Sequence, residues 1–296
     1  MKAYPKISIV TPNYNGGEFL EETIKSVLKQ NYPNLEYIVI DGGSTDNSIE
    51  VIKKYQDKLS YWVSEPDNGL YHAIQKGFDK STGEIMAWIN SDDMYLSKSF
   101  SVVSEIFSSF SRVNWLLGMP SAYDEQGRII RIDKFKRWSK FDYYTMNYQW
   151  IQQESVFWRR SLWEQAGNGL NTEYSLASDL ELWTRFFRSE KLYVTTALLS
   201  GFRTRSKNQL SLEGIDNYKE EAENILRNER NTIVSKADLK VANKVIRYRE
   251  KGRRSHHLIR FVYNYLTKKL IKKHFDYPKL IHFDRIKQSF ILEGND

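Results

Sequence analysis

Gly83-Glu84-Ile85-Met86-Ala87-Trp88-Ile89-Asn90-Ser91-Asp92-Asp93 holds five apolar residues in a row, closed by a polar turn that carries two carboxylates. An apolar run of that length, entered from the turn pair Thr82-Gly83, predicts a strand buried on both faces. Such strands belong to sheets with helices on either side. In open sheets of that kind, ligands bind beyond the carboxyl ends of the strands, where Asp92-Asp93 would stand. Adjacent carboxylates there suit a hard divalent cation, which takes oxygen ligands and completes its shell with water and substrate phosphates. Taken alone, the pair reads as a polar turn capping a helix near Ser97. Its upstream company favours a metal–diphosphate site.

Upstream, strand and helix alternate. Ile7 to Val10 is a β-rich run that ends in the turn cluster Thr11-Pro12-Asn13-Tyr14-Asn15-Gly16-Gly17. Phe19, Leu20, Ile24, Val27 and Leu28 recur at helical spacing within 18–30. Leu35 to Ile40 is a second strand, ending at Asp41-Gly42-Gly43-Ser44-Thr45-Asp46, with Ser44 or Asp46 placed to cap a helix over 48–55. Leu59 to Val63 is a third strand, followed by the loop Glu65-Pro66-Asp67-Asn68-Gly69 and a helix over 70–78. This alternation predicts an α/β fold with a mostly parallel sheet and right-handed crossovers. Loops 11–17, 41–46, 64–69 and 90–93 would then line one edge as a polar cleft.

Downstream, the pattern predicts a helix over 99–110, a strand over 115–119, a hairpin over 121–132 and a strand over 155–158. A short helix over 162–166 follows. Ser178, with Glu181 three residues on, reads as the capping box of a helix to Phe187. Residues 192–195 and 197–203 read as extended, and 213–229, 236–250 and 255–274 as helices. The composition shifts near residue 205, which divides the chain into residues 1–211 and a basic helical extension, 212–296.

Composition bounds the function. With no Cys, thiolate metal sites, disulfides and Cys nucleophiles are excluded, in keeping with a reducing cytoplasm. The start, Met1-Lys2-Ala3-Tyr4-Pro5-Lys6, leads straight into a strand without an apolar signal region, and no apolar run approaches the length of a membrane span. The net charge of +7 is concentrated at one end: Val241 to Phe275 holds eleven Lys and Arg against one acid, Glu250. Leu258, Ile259, Val262, Leu266, Leu270 and Ile271 would form one apolar face there. That basic amphipathic helix either lies on an anionic membrane surface, as a peripheral contact through 253–273, or packs on the catalytic domain. No nucleic-acid module accompanies it, so nucleic acid is not expected as a partner.

The stretches Ser8-Ile9-Val10-Thr11-Pro12-Asn13-Tyr14-Asn15, Val39 to Asp46, Glu65 to Gly69, Asn90 to Asp93, Gln153 to Arg160 and Ala177 to Trp183 together resemble family-2 inverting glycosyltransferases, over about residues 6 to 211. The resemblance implies a GT-A (Rossmann-like) fold, with a nucleotide-sugar half over about 6–118 and an acceptor half over about 119–211. It implies that Thr11, Asn13, Asp41, Asp67 and Asp92 hold the nucleotide and that Asp41 accepts a hydrogen bond from the base, typically uracil. It implies that Asp92 and Asp93 bind Mn²⁺ or Mg²⁺, Asp93 directly, and that Asp179 is the catalytic base. Gln152 and Gln153 stand where the family places donor or acceptor contacts. Read without the family, Asp41 is a turn residue, Asp179 a first-turn helix charge, Gln152 and Gln153 surface amides, and Trp158, Trp163 and Trp183 core.

The chain departs from the family pattern in places. His72 stands where many relatives carry Asp, and Gln75 where many carry Asn. The Arg-x-His stretch after the catalytic helix reads Phe202-Arg203-Thr204-Arg205-Ser206-Lys207-Asn208, which leaves the third metal ligand open and offers Arg203, Arg205 or Lys207 to the diphosphate. The Gln-x-x-Arg-Trp motif of processive synthases is absent, which favours transfer of a single sugar. The expected function is transfer from a nucleotide-sugar, a UDP-sugar, to a glycan or lipid-linked acceptor in surface-polysaccharide synthesis. The alternatives are a nucleotidyltransferase acting on sugar phosphates, and non-enzymatic binding of membrane or nucleic acid through the basic tail. On the enzymatic reading, deletion beyond about residue 250 should mainly lower access to the acceptor.

Overall fold

The structure, a computed structural model, describes residues 4–148, 150–206 and 214–294. β1 (Ile7–Asn13), α1 (Gly17–Leu28), β2 (Leu35–Asp41), α2 (Ser48–Tyr55), β3 (Tyr61–Ser64), α3 (Leu70–Lys80) and β4 (Ile85–Trp88) alternate as the sequence predicts. Next come β5 (Met94–Tyr95), α4 (Ser99–Ser109), β6 (Trp115–Leu117), β7 (Ser121–Tyr123), β8 (Ile129–Ile132), α5 (Lys140–Tyr144), β9 (Val156–Arg159) and α6 (Arg160–Gln165). The chain continues through α7 (Ser178–Ser189), β10 (Tyr193–Thr195) and β11 (Ser200–Arg203). Beyond the undescribed residues 207–213 lie α8 (Ile215–Thr232), α9 (Lys236–Arg254), α10 (His257–His274), β12 (Leu280–Asp284) and β13 (Ser289–Leu292).

Among the described residues the main sheet has nine strands, in the order β13-β12-β10-β6-β9-β4-β1-β2-β3. Neighbours are parallel except β9, which runs against β4 and β6, and the edge strand β13. β4 lies inside the sheet, between the middle strand β9 and β1, and Ile85 to Ile89 are all buried, as the apolar run predicts. Its residues alternate by pleat. Ile85, Ala87 and Ile89 join Leu20, Ile24 and Val103 on one face, while Met86 and Trp88 meet Ile74, Phe78 and Trp183 on the other. Trp158, Trp163 and Trp183 belong to that second core cluster. A smaller sheet, β5-β11-β7-β8, carries the expected 121–132 hairpin as β7 and β8.

Register aligns the strand ends. Asn13 pairs with Asp41 across β1–β2, and Asp41 with Ser64 across β2–β3, so three polar residues stand abreast at one edge of the sheet. Asp46 stands one residue ahead of the N-cap Asn47, yet its Oδ1 accepts from the Ser48 amide, the first of α2, at 2.9 Å. Ser178 does not cap α7: the residue before the helix is Ala177, and the Ser178 hydroxyl is buried without a partner.

The C-terminal region is helical to His274, but it does not end as a helical extension. β12 pairs in parallel with β10, and the β12–β13 hairpin continues the main sheet. Ile281 and Leu292 are buried in the same core cluster as Ile7 and Ile85. The single apolar face expected of 255–274 is also corrected. Leu270 and Ile271 pack against Phe141, Tyr144, Ala242, Val245 and Phe275, whereas Leu258, Ile259, Phe261, Val262 and Tyr265 are exposed.

Candidate active site

Asp41 closes β2 and is wholly buried. Its Oδ1 accepts from Asn13 Nδ2 at 2.7 Å and Ser44 Oγ at 2.5 Å. Its Oδ2 accepts from Ser64 Oγ at 2.6 Å and from the Ser44 and Gly43 amides at 2.9 and 3.1 Å. Burial alone would raise its pKa, but these hydrogen bonds outweigh it and hold the carboxyl below the usual range. Asp41 therefore ties three strand ends together, and accepting from a base N–H would require one of these bonds to give way. Thr11 is likewise buried, and its hydroxyl lies 3.1 Å from that of Tyr37. The more open acid of this region is Asp67, which accepts from the Gly69 amide at 2.8 Å. A Cβ on Gly42 would lie 2.8 Å from its Oδ2, so glycine lets the two loops approach.

Next to these loops stands the acidic turn. Thr23 of α1 donates to the backbone oxygens of Ser91 and Asp93, at 2.9 and 2.7 Å, and so fixes the turn. Asp93 is 1% exposed, and its Oδ1 accepts from the Arg203 amide at 2.8 Å. Asp92 is more open and pairs through Oδ2 with Arg205 Nε at 3.1 Å. Burial raises both carboxyls; for Asp93 the neighbouring Asp92 and Glu154 charges add to the rise, and for Asp92 Arg205 and Arg203 oppose it. Arg203 departs from the diphosphate contact expected of it. Its guanidinium is fully buried, bonded to Asp92 O at 2.6 Å, Glu125 O at 2.8 Å and Glu22 at 2.7 Å, and lies 4.6 Å over the Phe19 ring. It holds the turn from behind. Lys207 lies outside the described residues.

Asp179 sits in the first turn of α7, where its Oδ1 accepts from the Leu180 amide at 2.8 Å and stands 3.3 Å from the Tyr71 hydroxyl. Burial pushes its pKa up to about 6 against the pull of those two hydrogen bonds, and Glu221 adds a further push. Glu154 is near enough to both Asp92 and Asp179 for its charge to interact with each. Burial raises Glu154 to about 7 although Gln152 donates to it at 2.7 Å. Gln152 also donates to Ser121 O, and Gln153 to Trp88 O, both at 2.7 Å, so the two amides brace the cleft wall.

Glu154, Tyr71 and Glu221 are the residues the sequence reading missed. Glu154 had a signal, an acid between two amides just before a strand. Tyr71 and Glu221 had none, because their contacts with the Asp179 segment span 44 to 108 residues.

The donor set fits a hard divalent cation. It is all oxygen, its carboxyls are raised by burial, and Asn13 Oδ1 and Asn90 Oδ1 are buried acceptors without a partner. A Cβ on Gly16 would fall 2.4 Å from Asn13 Oδ1 and 2.6 Å from Ser91 Oγ, so only glycine lets the first loop reach the acidic turn. No cluster of three or more metal-ligating side chains occurs among the described residues. A cation here would therefore be held by Asp92 and Asp93, with phosphate oxygens and water completing its shell.

The family described as glycosyl transferase family 2 matches residues 8–162. An uncharacterized glycosyltransferase of Mycobacterium tuberculosis is 28% identical over 193 residues, 62% of this chain and 70% of that protein. Another, of Rickettsia conorii, is 27% identical over 223 residues, 73% of this chain but 36% of that longer protein. Among solved structures, residues 1–349 of S. aureus TarS in complex with UDP-GlcNAc superpose with a TM-score of 0.66, at 18% identity, over 82% of this chain and 72% of that one. The mannosyltransferase PcManGT from Pyrobaculum calidifontis, in complex with GDP-Man and Mn²⁺, gives 0.57 at 15% identity, over 90% of this chain and 84% of that one. At those identities the likeness is one of GT-A fold.

Proposed function

This chain belongs to glycosyltransferase family 2, and from that premise we propose that it moves one sugar, a hexosyl or N-acetylhexosaminyl group, from a UDP-sugar to a glycan or lipid-linked acceptor with inversion at the anomeric carbon. The observation that carries the reading is that the acidic turn, Asp92 and Asp93, and Asp179 in the first turn of α7 all lie within reach of one buried carboxyl, Glu154.

In this reaction the acceptor hydroxyl attacks the anomeric carbon and gives its proton to a carboxylate Oδ of Asp179, while the bond from that carbon to the diphosphate oxygen breaks and the pair leaves with the nucleoside diphosphate. A base near 6 is ionised at neutral pH yet basic enough to take a proton from a hydroxyl under attack. Asp67 and Asn13 line the nucleotide side; Glu154 and Gln152 form the wall between the two ends. A divalent cation at Asp92 and Asp93 would neutralise the charge on the departing diphosphate. The bound UDP-GlcNAc, GDP-Man and Mn²⁺ of the fold relatives support the donor class and the metal.

A place on the inner face of the cell membrane, in synthesis of a surface polysaccharide, is supported by α10. Leu258, Phe261, Val262 and Tyr265, at helical spacing on one side, are exposed, at 82% and 71% for the first two. Lys251 to Phe275 holds eight Lys and Arg and no acid. Those charges favour an anionic lipid surface over a second copy of this chain, which would bring like charge to the patch. No helix among the described residues is long and apolar enough to cross a membrane.

Calorimetric titration with UDP, GDP, CDP and dTDP, with Mn²⁺ and with chelator, tests the donor reading. Metal-dependent binding of UDP above the others is the expected result, and binding of none would remove the reading. Product analysis excludes a nucleotidyltransferase if nucleoside diphosphate accumulates and pyrophosphate does not.

A further inference from the structure

The residues that lead into α7 lack a capping side chain of their own, yet their amides are not left bare. Glu221, on α8, takes them. Its Oε1 accepts from the Ser175 amide at 3.0 Å and the Ser175 hydroxyl at 2.8 Å. Its Oε2 accepts from the Leu176 and Ala177 amides, both at 2.9 Å. One carboxylate thus receives four hydrogen bonds from three consecutive residues. Asp179 follows two residues later. From the other side, the Tyr71 hydroxyl of α3 stands 3.0 Å from Leu176 O and 3.3 Å from Asp179 Oδ1. The segment that carries the base is therefore gripped between α3 and α8.

α8 can serve as the fixed partner because it is itself anchored. Ala222, Ile225 and Leu226, which flank or closely follow Glu221, are buried in the core cluster that holds Trp183. Farther along α8, and outside the contacts with 175–177, Glu229 pairs with Arg188 of α7, Nε to Oε1 at 2.9 Å. Burial would raise the Glu221 pKa, but the donated hydrogen bonds outweigh it and keep the carboxyl ionised. A formal charge at the start of α7 also suits the helix dipole.

We propose that Glu221 is a positioning residue for sugar transfer: it fixes the Ser175–Ala177 backbone, so that Asp179 meets the acceptor hydroxyl in a productive geometry. It touches no reacting atom. α8, beyond the residues that match the family, is then a working part of the active site. The inference rests on Asp179 being the base.

Glu221→Gln is the chosen variant. It keeps one oxygen to accept and presents donors to the other pair of N–H or O–H groups, so about half the grip is lost without loss of bulk. The expected result is a fall in kcat on the order of 10–100-fold, with donor KM and nucleoside diphosphate affinity within about twofold of wild type. Amide exchange at 175–180 should accelerate. Glu229→Gln is the comparison: it breaks an ion pair of the same helix, and should lower the melting temperature while leaving kcat unchanged. Faster exchange with unchanged kcat in Glu221→Gln would overturn the inference alone. So would a kcat loss that Glu229→Gln reproduces at equal loss of stability. Equal turnover by wild type and Asp179→Asn would overturn the base assignment, and this inference with it.

Discussion

Asp179 can accept a proton only when ionised, and its surroundings set where that happens. With its carboxyl pushed up to about 6, kcat should fall about tenfold per pH unit below that value and level off above it; a flat profile between pH 7 and 5 would move the base elsewhere. The same shift has a stability consequence. A folded-state pKa raised above the ordinary carboxylate range means the folded protein binds the proton more tightly than the unfolded chain does. This residue's contribution is thus lost as pH rises from that range through about 6. Asp179→Asn should therefore raise the melting temperature by a few degrees at pH 8 while lowering transfer by a factor on the order of 10²–10⁴ and sparing nucleotide binding. Asp93→Asn has the opposite signature: nucleoside diphosphate affinity should fall in Mn²⁺ and match wild type in chelator, read by calorimetry. The positions of these acids were legible in the sequence, since each closes a strand or opens a helix. Their differing exposure was not. Asp41 and Asp67 look alike as loop acids, yet one is sealed by five hydrogen bonds and the other is open.

Among the elements, β4 and α10 mark the limits of periodicity. β4 is apolar at every position, so burial on both faces follows whatever its register. α10 has apolar residues on two sides, and spacing alone does not say which side finds a partner. The helix turned Tyr263 and Thr267 inward, with the Tyr263 ring against Tyr248 of α9 and Thr267 buried, and left Phe261 and Val262 in solvent. Phe261→Asp with Val262→Asp should lower sedimentation with phosphatidylglycerol vesicles without changing kcat on a soluble acceptor, and neutral phosphatidylcholine vesicles should bind weakly throughout. Undiminished sedimentation of the double variant would remove the membrane contact. The start of α7 shows a different limit: Ser178 and Glu181 have capping-box spacing, but the amides ahead of the helix were already taken by Glu221, from α8.

For the whole molecule, the tail is where expectation and structure part. Read as an extension, residues beyond about 250 would mainly serve access to the acceptor. In the structure Ile281 and Leu292 are wholly or almost wholly buried in a main core cluster, and β12 covers the edge of β10. Truncation after Asp276 would expose that edge and those side chains. It should therefore lower the melting temperature and the soluble yield, not merely access to the acceptor; a truncated chain that melts like the full one would contradict the pairing. By itself the sequence determined the strand–helix alternation, the buried central strand and the four polar loops at the strand ends, because hydrophobic period and turn chemistry act over a few residues. It also determined which acids stand at those ends. Only the tertiary structure decided which of them stay open, that Arg203 is sealed behind the acidic turn, that Glu154 comes within reach of both that turn and Asp179, and that the distant Glu221 grips the segment before Asp179. Those outcomes depend on contacts between residues far apart in the chain, and burial and hydrogen-bond satisfaction exist only once those residues have met.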